Sequence, residues 1–122
     1  MYYLIGLKTC STCRQIEKLL RQADITYQYQ DVRTDRPTAD QIRGWLSYIN
    51  EENIDKLVNT HGQVYRERQL KNDWKNFTVE EKIQTLASDG MLIKRPILIT
   101  DNNRLFVGNE VKKYLEEGAN HA

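Results

Sequence analysis

The chain has 122 residues, which is enough for one hydrophobic core and too few for two ordinary domains. Its 18 basic and 17 acidic side chains are interspersed, so a net charge of +1 gives no electrostatic argument for binding nucleic acid or an anionic membrane. The most apolar stretch, residues 91–99, contains Lys94 and Arg95 and cannot span a bilayer. Because Met1 leads directly into a predicted strand, without a secretory leader pattern, we expect a soluble cytoplasmic protein.

The first third of the chain predicts a strand, a helix and a second strand. Residues 2–5 form a short strand-like run. After Cys13, apolar side chains three and four positions apart mark one face of a helix, at Ile16, Leu19, Leu20 and Ala23. Residues 25–30 alternate between apolar or aromatic and polar side chains, as on a half-buried strand. A crossover this short predicts a right-handed βαβ unit with parallel strands.

The middle of the chain predicts helices and no strands. Thr38 with Gln41, and Thr78 with Glu81, both have the spacing of a helix capping box. In chain order the segment predicts a helix carrying Ile42, Trp45, Leu46 and Ile49, a short helical turn near residues 54–58, a polar segment with brief helical turns over 59–76, and a helix that ends near Gly90.

The last third predicts an antiparallel hairpin and a helix. The turn-rich residues 101–103 separate the apolar runs 97–99 and 105–107, which favours a hairpin. The final helix begins near Gly108 or Asn109, and residues 118–122 are expected to be a frayed tail.

The predicted order resembles the thioredoxin and glutaredoxin folds. That fold class is α/β, with a βαβ–ββα frame around a mixed four-stranded sheet and, in this chain, an all-helical insertion over about residues 35–90. We expect one domain over residues 1–122, with its frame at about 1–34 and 91–118. The carboxyl end of the first strand is then the edge where α/β sheets place ligand sites.

The only two cysteines of the chain lie at that edge, in the motif Cys10-Ser11-Thr12-Cys13. At a helix N-terminus, unpaired N–H groups and the macrodipole favour a thiolate over a thiol. The first cysteine of such a motif can have a pKa of roughly 3.5–7.5 instead of about 8.5. Because the second thiol lies one turn further on, it can attack a mixed disulfide formed on the first. The motif therefore predicts thiol–disulfide exchange.

Other uses of the two cysteines remain open at this point. A structural disulfide closing four residues would stabilise the fold by roughly 2 kcal/mol, compared with about 3 kcal/mol for a fifteen-residue loop. Zinc usually takes four ligands, and His61 and His121 do not have finger-like spacing from the cysteines, so no metal site is predicted. Inert thiols are the third alternative.

Arg95 and Pro96 immediately precede the predicted third strand and form the second half of the candidate site. Proline cannot donate to the sheet ladder, so Pro96 is expected at a strand entry. Thioredoxin-like proteins set a cis-proline against their active cysteines, and in that position Arg95 would point toward Cys10. A guanidinium there would lower the pKa of the thiol and bind an oxyanion or carboxylate in a bidentate manner. The alternative is a solvated arginine at a helix C-terminus.

The residues around the cysteine motif are candidates for contacting the substrate. Thr9 and Ser11 could donate hydroxyl hydrogen bonds to sulfur or, equally, cap the helix. The complete set of candidate substrate-binding residues is Lys8, Thr9, Ser11, Thr12, Arg14 and Pro96.

Several segments together resemble the ArsC/Spx family over essentially the whole chain. They are the Cys10-x-x-Cys13 motif, the helical insertion, Asn59-Thr60-His61-Gly62-x-x-Tyr65-Arg66-Glu67, Ser88-Asp89-Gly90-Met91-Leu92-Ile93-Lys94-Arg95-Pro96-Ile97 and Val107-Gly108. This family contains glutaredoxin-dependent arsenate reductases, the transcriptional regulator Spx and a branch without an assigned function, to which the likeness is strongest.

The arsenate reductases of the family imply that a cysteine matching Cys10 attacks arsenate held by three arginines. Arg95 matches one of these arginines, whereas Asn59 and Val107 stand at the other two positions and cannot bind an oxyanion as arginine does. Cys13 also departs from this branch and favours an intramolecular disulfide. We therefore expect arsenate reduction to be inefficient.

The Spx branch implies a redox switch formed by the cysteine pair in a protein that binds the C-terminal domain of the RNA polymerase α subunit. Arg95 matches an arginine that matters there, whereas Asn53 stands in place of a glycine.

Two hypotheses from different classes follow from the residues and the resemblance. The first is a thiol–disulfide oxidoreductase that uses Cys10, Cys13 and Arg95, with glutathione, glutaredoxin or thioredoxin as reductant and no bound cofactor. The second is a regulator that senses redox state and binds the polymerase α subunit. A family member that binds a thiol compound without turnover is a weaker third.

Overall fold

Strands and helices alternate at both ends of the chain, and the segment between them is helical. The computed structural model describes residues 1–117. The elements are β1 (Tyr2–Gly6), α1 (Ser11–Gln22), β2 (Tyr27–Asp31), α2 (Ala39–Ile49), α3 (Gln63–Glu67), α4 (Leu70–Asp73), α5 (Val79–Ser88), β3 (Ile97–Ile99), β4 (Leu105–Val107) and α6 (Asn109–Glu116), with 3₁₀ turns at Glu51–Leu57, Trp74–Asn76 and Gly90–Leu92.

The four strands form one mixed sheet in the order β2-β1-β3-β4. β1 runs parallel to β2 and antiparallel to β3, and β3 and β4 form the predicted antiparallel hairpin. The two central strands are strongly apolar, and all three residues of β3 are buried. This is the predicted βαβ–ββα sheet of the thioredoxin-like class, and the predicted fold class is confirmed.

The core of the sheet unit lies where α1 and α6 meet the central strands. Leu4, Ile16, Leu20, Leu98 and Val111 are fully buried against one another. Burying an aliphatic side chain of this size contributes about 1.5–3 kcal/mol relative to leaving it exposed, so this cluster holds α1 on the sheet. Because α1 follows β1 after a short loop, its N-terminus stands at the carboxyl end of β1.

Residues Val32–Lys94 form a second unit, which is helical. Both predicted capping positions begin helices: the Thr38 hydroxyl accepts a hydrogen bond from the Gln41 N–H, and Thr78 and Glu81 exchange both bonds of a capping box. The polar segment after residue 59 contains the predicted brief helical turns, as α3, α4 and a 3₁₀ turn. The prediction of a domain over residues 1–122, with a frame at 1–34 and 91–118, stays a prediction.

The start of β2 differs from the sequence expectation. β2 begins at Tyr27 and not at residue 25, because residues 23–25 close the end of α1. Asp24 has a φ of 55°, and the N–H of Ile25 donates to the Leu20 carbonyl at 3.0 Å, which is the pattern of a Schellman motif. The predicted tail at 118–122 lies outside the described residues. No helix within residues 1–117 has the length and apolar character needed to cross a membrane.

Candidate active site

The cysteine pair is positioned by the tight connection between β1 and α1. The N–H of Cys10 donates to the Leu7 carbonyl at 2.9 Å, and the Cys10 carbonyl accepts the first helical hydrogen bond, from the Arg14 N–H at 3.1 Å. Cys10 itself is the N-cap residue, in extended conformation with φ of −83° and ψ of 122°. The N-cap position is therefore occupied by Cys10 and not by Thr9 or Ser11.

Cys10 is a half-buried free thiol whose pKa is lowered. Partial burial alone would raise this pKa. Hydrogen bonds to the sulfur from the backbone and thiol of Cys13 and from the Thr12 backbone, with the positive charge of Arg95, outweigh that effect. The thiolate at position 10 is thus stabilised by the helix N-terminus and by a nearby cation.

Cys13 is a fully buried free thiol with the opposite behaviour. Its pKa is raised to about 11, chiefly by burial and also by the hydrogen bond and charge of Cys10, which together outweigh the lowering by the Leu7 backbone and Arg95. The Cys10 thiol therefore loses its proton more readily than the Cys13 thiol. The pair combines an accessible nucleophile with a protected partner.

Arg95 and Pro96 bring the start of β3 to the cysteine pair. The peptide bond between them is cis, and the Pro96 carbonyl accepts a hydrogen bond from the Gly108 N–H at 2.8 Å. Arg95 is half-buried, and its charge lowers the pKa of both Cys10 and Cys13. The guanidinium is thus within electrostatic reach of the two thiols.

The other predicted substrate-binding residues surround the pair at the surface. The side chains of Lys8, Thr9, Ser11, Thr12 and Arg14 are all exposed. Two of these residues act through their backbone: the Thr12 N–H faces the Cys10 sulfur, and the Lys8 N–H donates to the Asp31 carboxylate at 2.9 Å. The structure therefore places these side chains at the surface beside the nucleophile, and their contact with a substrate stays a prediction.

Sequence reasoning missed three residues that enclose the cysteine pair. Tyr29 and Gly6 lie against Cys13, and Asp31 is buried at the end of β2, where it fixes the loop that leads to Cys10. The alternation along β2 was a usable signal, because it puts Tyr27, Tyr29 and Asp31 on one face of the strand. The pattern could not show that this face is the one that meets α1.

We predict that Arg95→Ala slows alkylation of Cys10 at neutral pH by roughly twofold to fivefold, the size expected for one partly screened charge interaction. Loss of the cation raises the pKa of Cys10, so less thiolate is present. The measurement is the rate of iodoacetamide modification against pH. Lys94→Ala is the matched control, since Lys94 is an exposed neighbouring cation and its variant should react like the wild type. Equal rates for both variants would remove Arg95 from the site.

Within the part of the chain that the structure describes, no group of three or more His, Cys, Asp or Glu side chains is placed to hold a metal ion.

A four-stranded mixed sheet with a Cys-x-x-Cys pair at the first helix and a cis-proline before the third strand defines a thioredoxin-like protein. The model of the ArsC family matches residues 5–116. The chain therefore belongs to the ArsC family.

Individual relatives cover most of the chain. It is 33% identical over 110 residues to the uncharacterised protein YusI of Bacillus subtilis, covering 90% of this chain and 92% of YusI. It is 26% identical over 118 residues to the global transcriptional regulator Spx of Staphylococcus aureus, covering 94% and 87%. A solved structure of a possible arsenate reductase from Streptococcus mutans matches with a TM-score of 0.80 and 35% identity, covering 89% of this chain and 91% of that one.

Proposed function

We propose that this protein is a cytoplasmic thiol–disulfide oxidoreductase in which Cys10 is the nucleophile and Cys13 the resolving thiol. The opposite pKa shifts of the two thiols carry the proposal. Cys10 is partly accessible and favours the thiolate, while burial keeps Cys13 protonated. A partly accessible thiolate beside a buried thiol is the arrangement needed for attack followed by intramolecular resolution.

In this mechanism the Cys10 thiolate attacks one sulfur of a disulfide substrate and expels the other as a thiolate. Cys13 then loses its proton and attacks the Cys10 sulfur, which releases the captured group as a thiol and closes the Cys10–Cys13 disulfide. Arg95 stabilises the first thiolate or an anionic group of the substrate. Lys8, Thr9, Ser11, Thr12, Arg14 and Pro96 are proposed to contact the substrate around the sulfur.

The reducing equivalents are proposed to come from a thiol reductant of the glutathione, glutaredoxin or thioredoxin type. Proteins of the ArsC family use such reductants, and the half-buried Cys10 sulfur is open to a second thiol.

Arsenate is proposed to be a poor substrate. Of the three arginines that hold arsenate in family reductases, this chain keeps Arg95 alone. The Asn59 side chain is engaged with the His61 N–H and the Met91 carbonyl, and Val107 is buried in β4. Neither can supply the positive charge and paired N–H donors that a dianion needs.

The test of the proposed function is the pH dependence of Cys10 alkylation together with exchange in glutathione buffers. Because the pKa of Cys10 is lowered, the alkylation rate should rise and level off at a lower pH than for free cysteine, whose pKa is about 8.5. The redox potential should fall within roughly −270 to −120 mV, the range of Cys-x-x-Cys oxidoreductases. A Cys10 titration at or above that of free cysteine would overturn the proposal.

A regulatory function is the second candidate, supported by the similarity to Spx over 94% of this chain. In this reading the same pair is a sensor, and its oxidation alters binding to the C-terminal domain of the RNA polymerase α subunit. Pull-down with that domain, using the protein reduced and then oxidised, separates the two candidates. Binding that changes with redox state supports regulation, and no binding in either state removes it.

A further inference from the structure

The hydroxyl of Tyr29 is a buried polar group without a hydrogen-bond partner among residues 1–117. Its ring packs against the core cluster under α1, so the hydroxyl cannot simply turn out to water. An unsatisfied buried hydroxyl costs about 1–3 kcal/mol, and such a group calls for an explanation in terms of function or a changing partner.

The Tyr29 hydroxyl and the sulfur of Cys13 both lie against Gly6. A Cβ placed on Gly6 would lie 2.8 Å from Tyr29 Oη and 2.9 Å from Cys13 Sγ. The two atoms therefore converge on the same bare face of Gly6, from β2 on one side and α1 on the other. Glycine at position 6 leaves the space in which they approach each other.

The electrostatics of the site make Tyr29 a donor and not a base. Burial raises the pKa of Tyr29, and the negative charges of Cys13, Glu17, Asp31 and Cys10 raise it further. The phenol consequently keeps its proton over the whole physiological range. In the resting pair Cys13 is protonated and donates to Cys10, so a hydroxyl donor has little to gain from the Cys13 sulfur.

We propose that Tyr29 donates a hydrogen bond to the Cys13 sulfur when that sulfur becomes a thiolate, and thereby speeds the resolving step. This inference rests on the proposed oxidoreductase function. In that step the Cys13 thiolate attacks Cys10 in the mixed disulfide, the Cys10–Cys13 bond forms, and the bond from Cys10 to the substrate sulfur breaks. The proton lost by Cys13 ends on the departing sulfur, so a thiol is released.

The two steps can be timed separately with dithiobis-nitrobenzoate in stopped flow. Attack by Cys10 releases one thionitrobenzoate, and resolution by Cys13 releases the second. We expect Tyr29→Phe to leave the rate of the first phase unchanged and to slow the second roughly tenfold near neutral pH, as for a lost hydrogen bond to a charged group. The rate of its second phase should also begin to rise at a higher pH than the corresponding rate of the wild type.

Tyr27→Phe is the matched control. Tyr27 lies two residues earlier on the same face of β2, but its hydroxyl already has a partner, since it donates to Glu17 at 2.7 Å. Its second phase should keep the wild-type rate. Both variants keep Glu17, Asp31 and Arg95, so the charges of these residues affect the two pH profiles equally.

The outcomes separate this inference from the proposed function. Release of only one thionitrobenzoate by the wild type would end the assignment of Cys13 as the resolving thiol. Two phases in the wild type, with an unchanged second phase in Tyr29→Phe, would overturn only the role of Tyr29. Thermal unfolding tests for a purely structural role of Tyr29. Removing a buried, unsatisfied hydroxyl should not lower the stability of Tyr29→Phe, so a lower unfolding temperature would indicate a structural role instead.

Discussion

Cys10→Ser should lose disulfide exchange by roughly a thousandfold or more, because removing the nucleophile leaves only binding to assist the reaction. Cys13→Ser should behave differently: its Cys10 still attacks, and the mixed disulfide accumulates since no second thiol resolves it. Mass spectrometry after reaction with a glutathione disulfide should show the glutathione adduct on Cys13→Ser and none on Cys10→Ser.

Ser47→Ala is the control for this pair of variants. Ser47 is exposed on α2, in the helical unit and outside the proposed site, so its replacement tests a change of a serine that removes no sulfur. It should keep the wild-type exchange activity. Similar activity of Cys10→Ser and Cys13→Ser would contradict the assigned order of attack.

Gly90→Ala should destabilise the helical unit by about 3 kcal/mol, the upper part of the range for overpacking a closed site. A Cβ at position 90 would lie 2.0 Å from the carbonyl oxygen of Val32 and 2.8 Å from its carbonyl carbon. Because these are backbone atoms, no rotamer change can relieve the clash. Urea unfolding followed by circular dichroism should show a lower midpoint.

Gly44→Ala is a control for which the expected change in stability has the opposite sign. Gly44 is exposed in the middle of α2, and a Cβ there would have no atom within 4 Å. Alanine should stabilise the helix by about 0.5–1 kcal/mol through its better propensity. A midpoint for Gly90→Ala equal to that of the wild type would show that Val32 and Gly90 can separate at little cost.

Much of the architecture could be predicted because its signals are local. The spacing of Thr78 and Glu81 predicts a helix start that the structure confirms with both hydrogen bonds. The tripeptide at 101–103 between two apolar runs predicts the hairpin of β3 and β4. The misplaced start of β2 has a local cause that alternation could not reveal, since Asp24 and Ile25 still belong to the end of α1.

The candidate site was harder to predict from the sequence because its residues are far apart in the chain. Cys10 and Cys13 stand out by residue type, and the family resemblance indicated Arg95. For Tyr29, one of seven tyrosines, the alternation of β2 was the signal, and that pattern does not distinguish it from Tyr27. Its approach to Cys13 across Gly6 is set by the folded chain. The close approach of Gly90 to Val32 joins residues far apart in the chain for the same reason.

By itself the sequence determined the chemistry available, two thiols one helical turn apart, and the order of strands and helices that carries them, because both depend on residue type and short-range spacing. Tertiary structure decided how those two thiols differ. The pKa of Cys10 falls because hydrogen bonds from Cys13 and the Thr12 backbone, with the charge of Arg95, outweigh its partial burial. The pKa of Cys13 rises chiefly because its sulfur is buried, where it lies against Gly6. Burial and charge at a sulfur depend on every element packed around it, and that packing is a property of the folded chain.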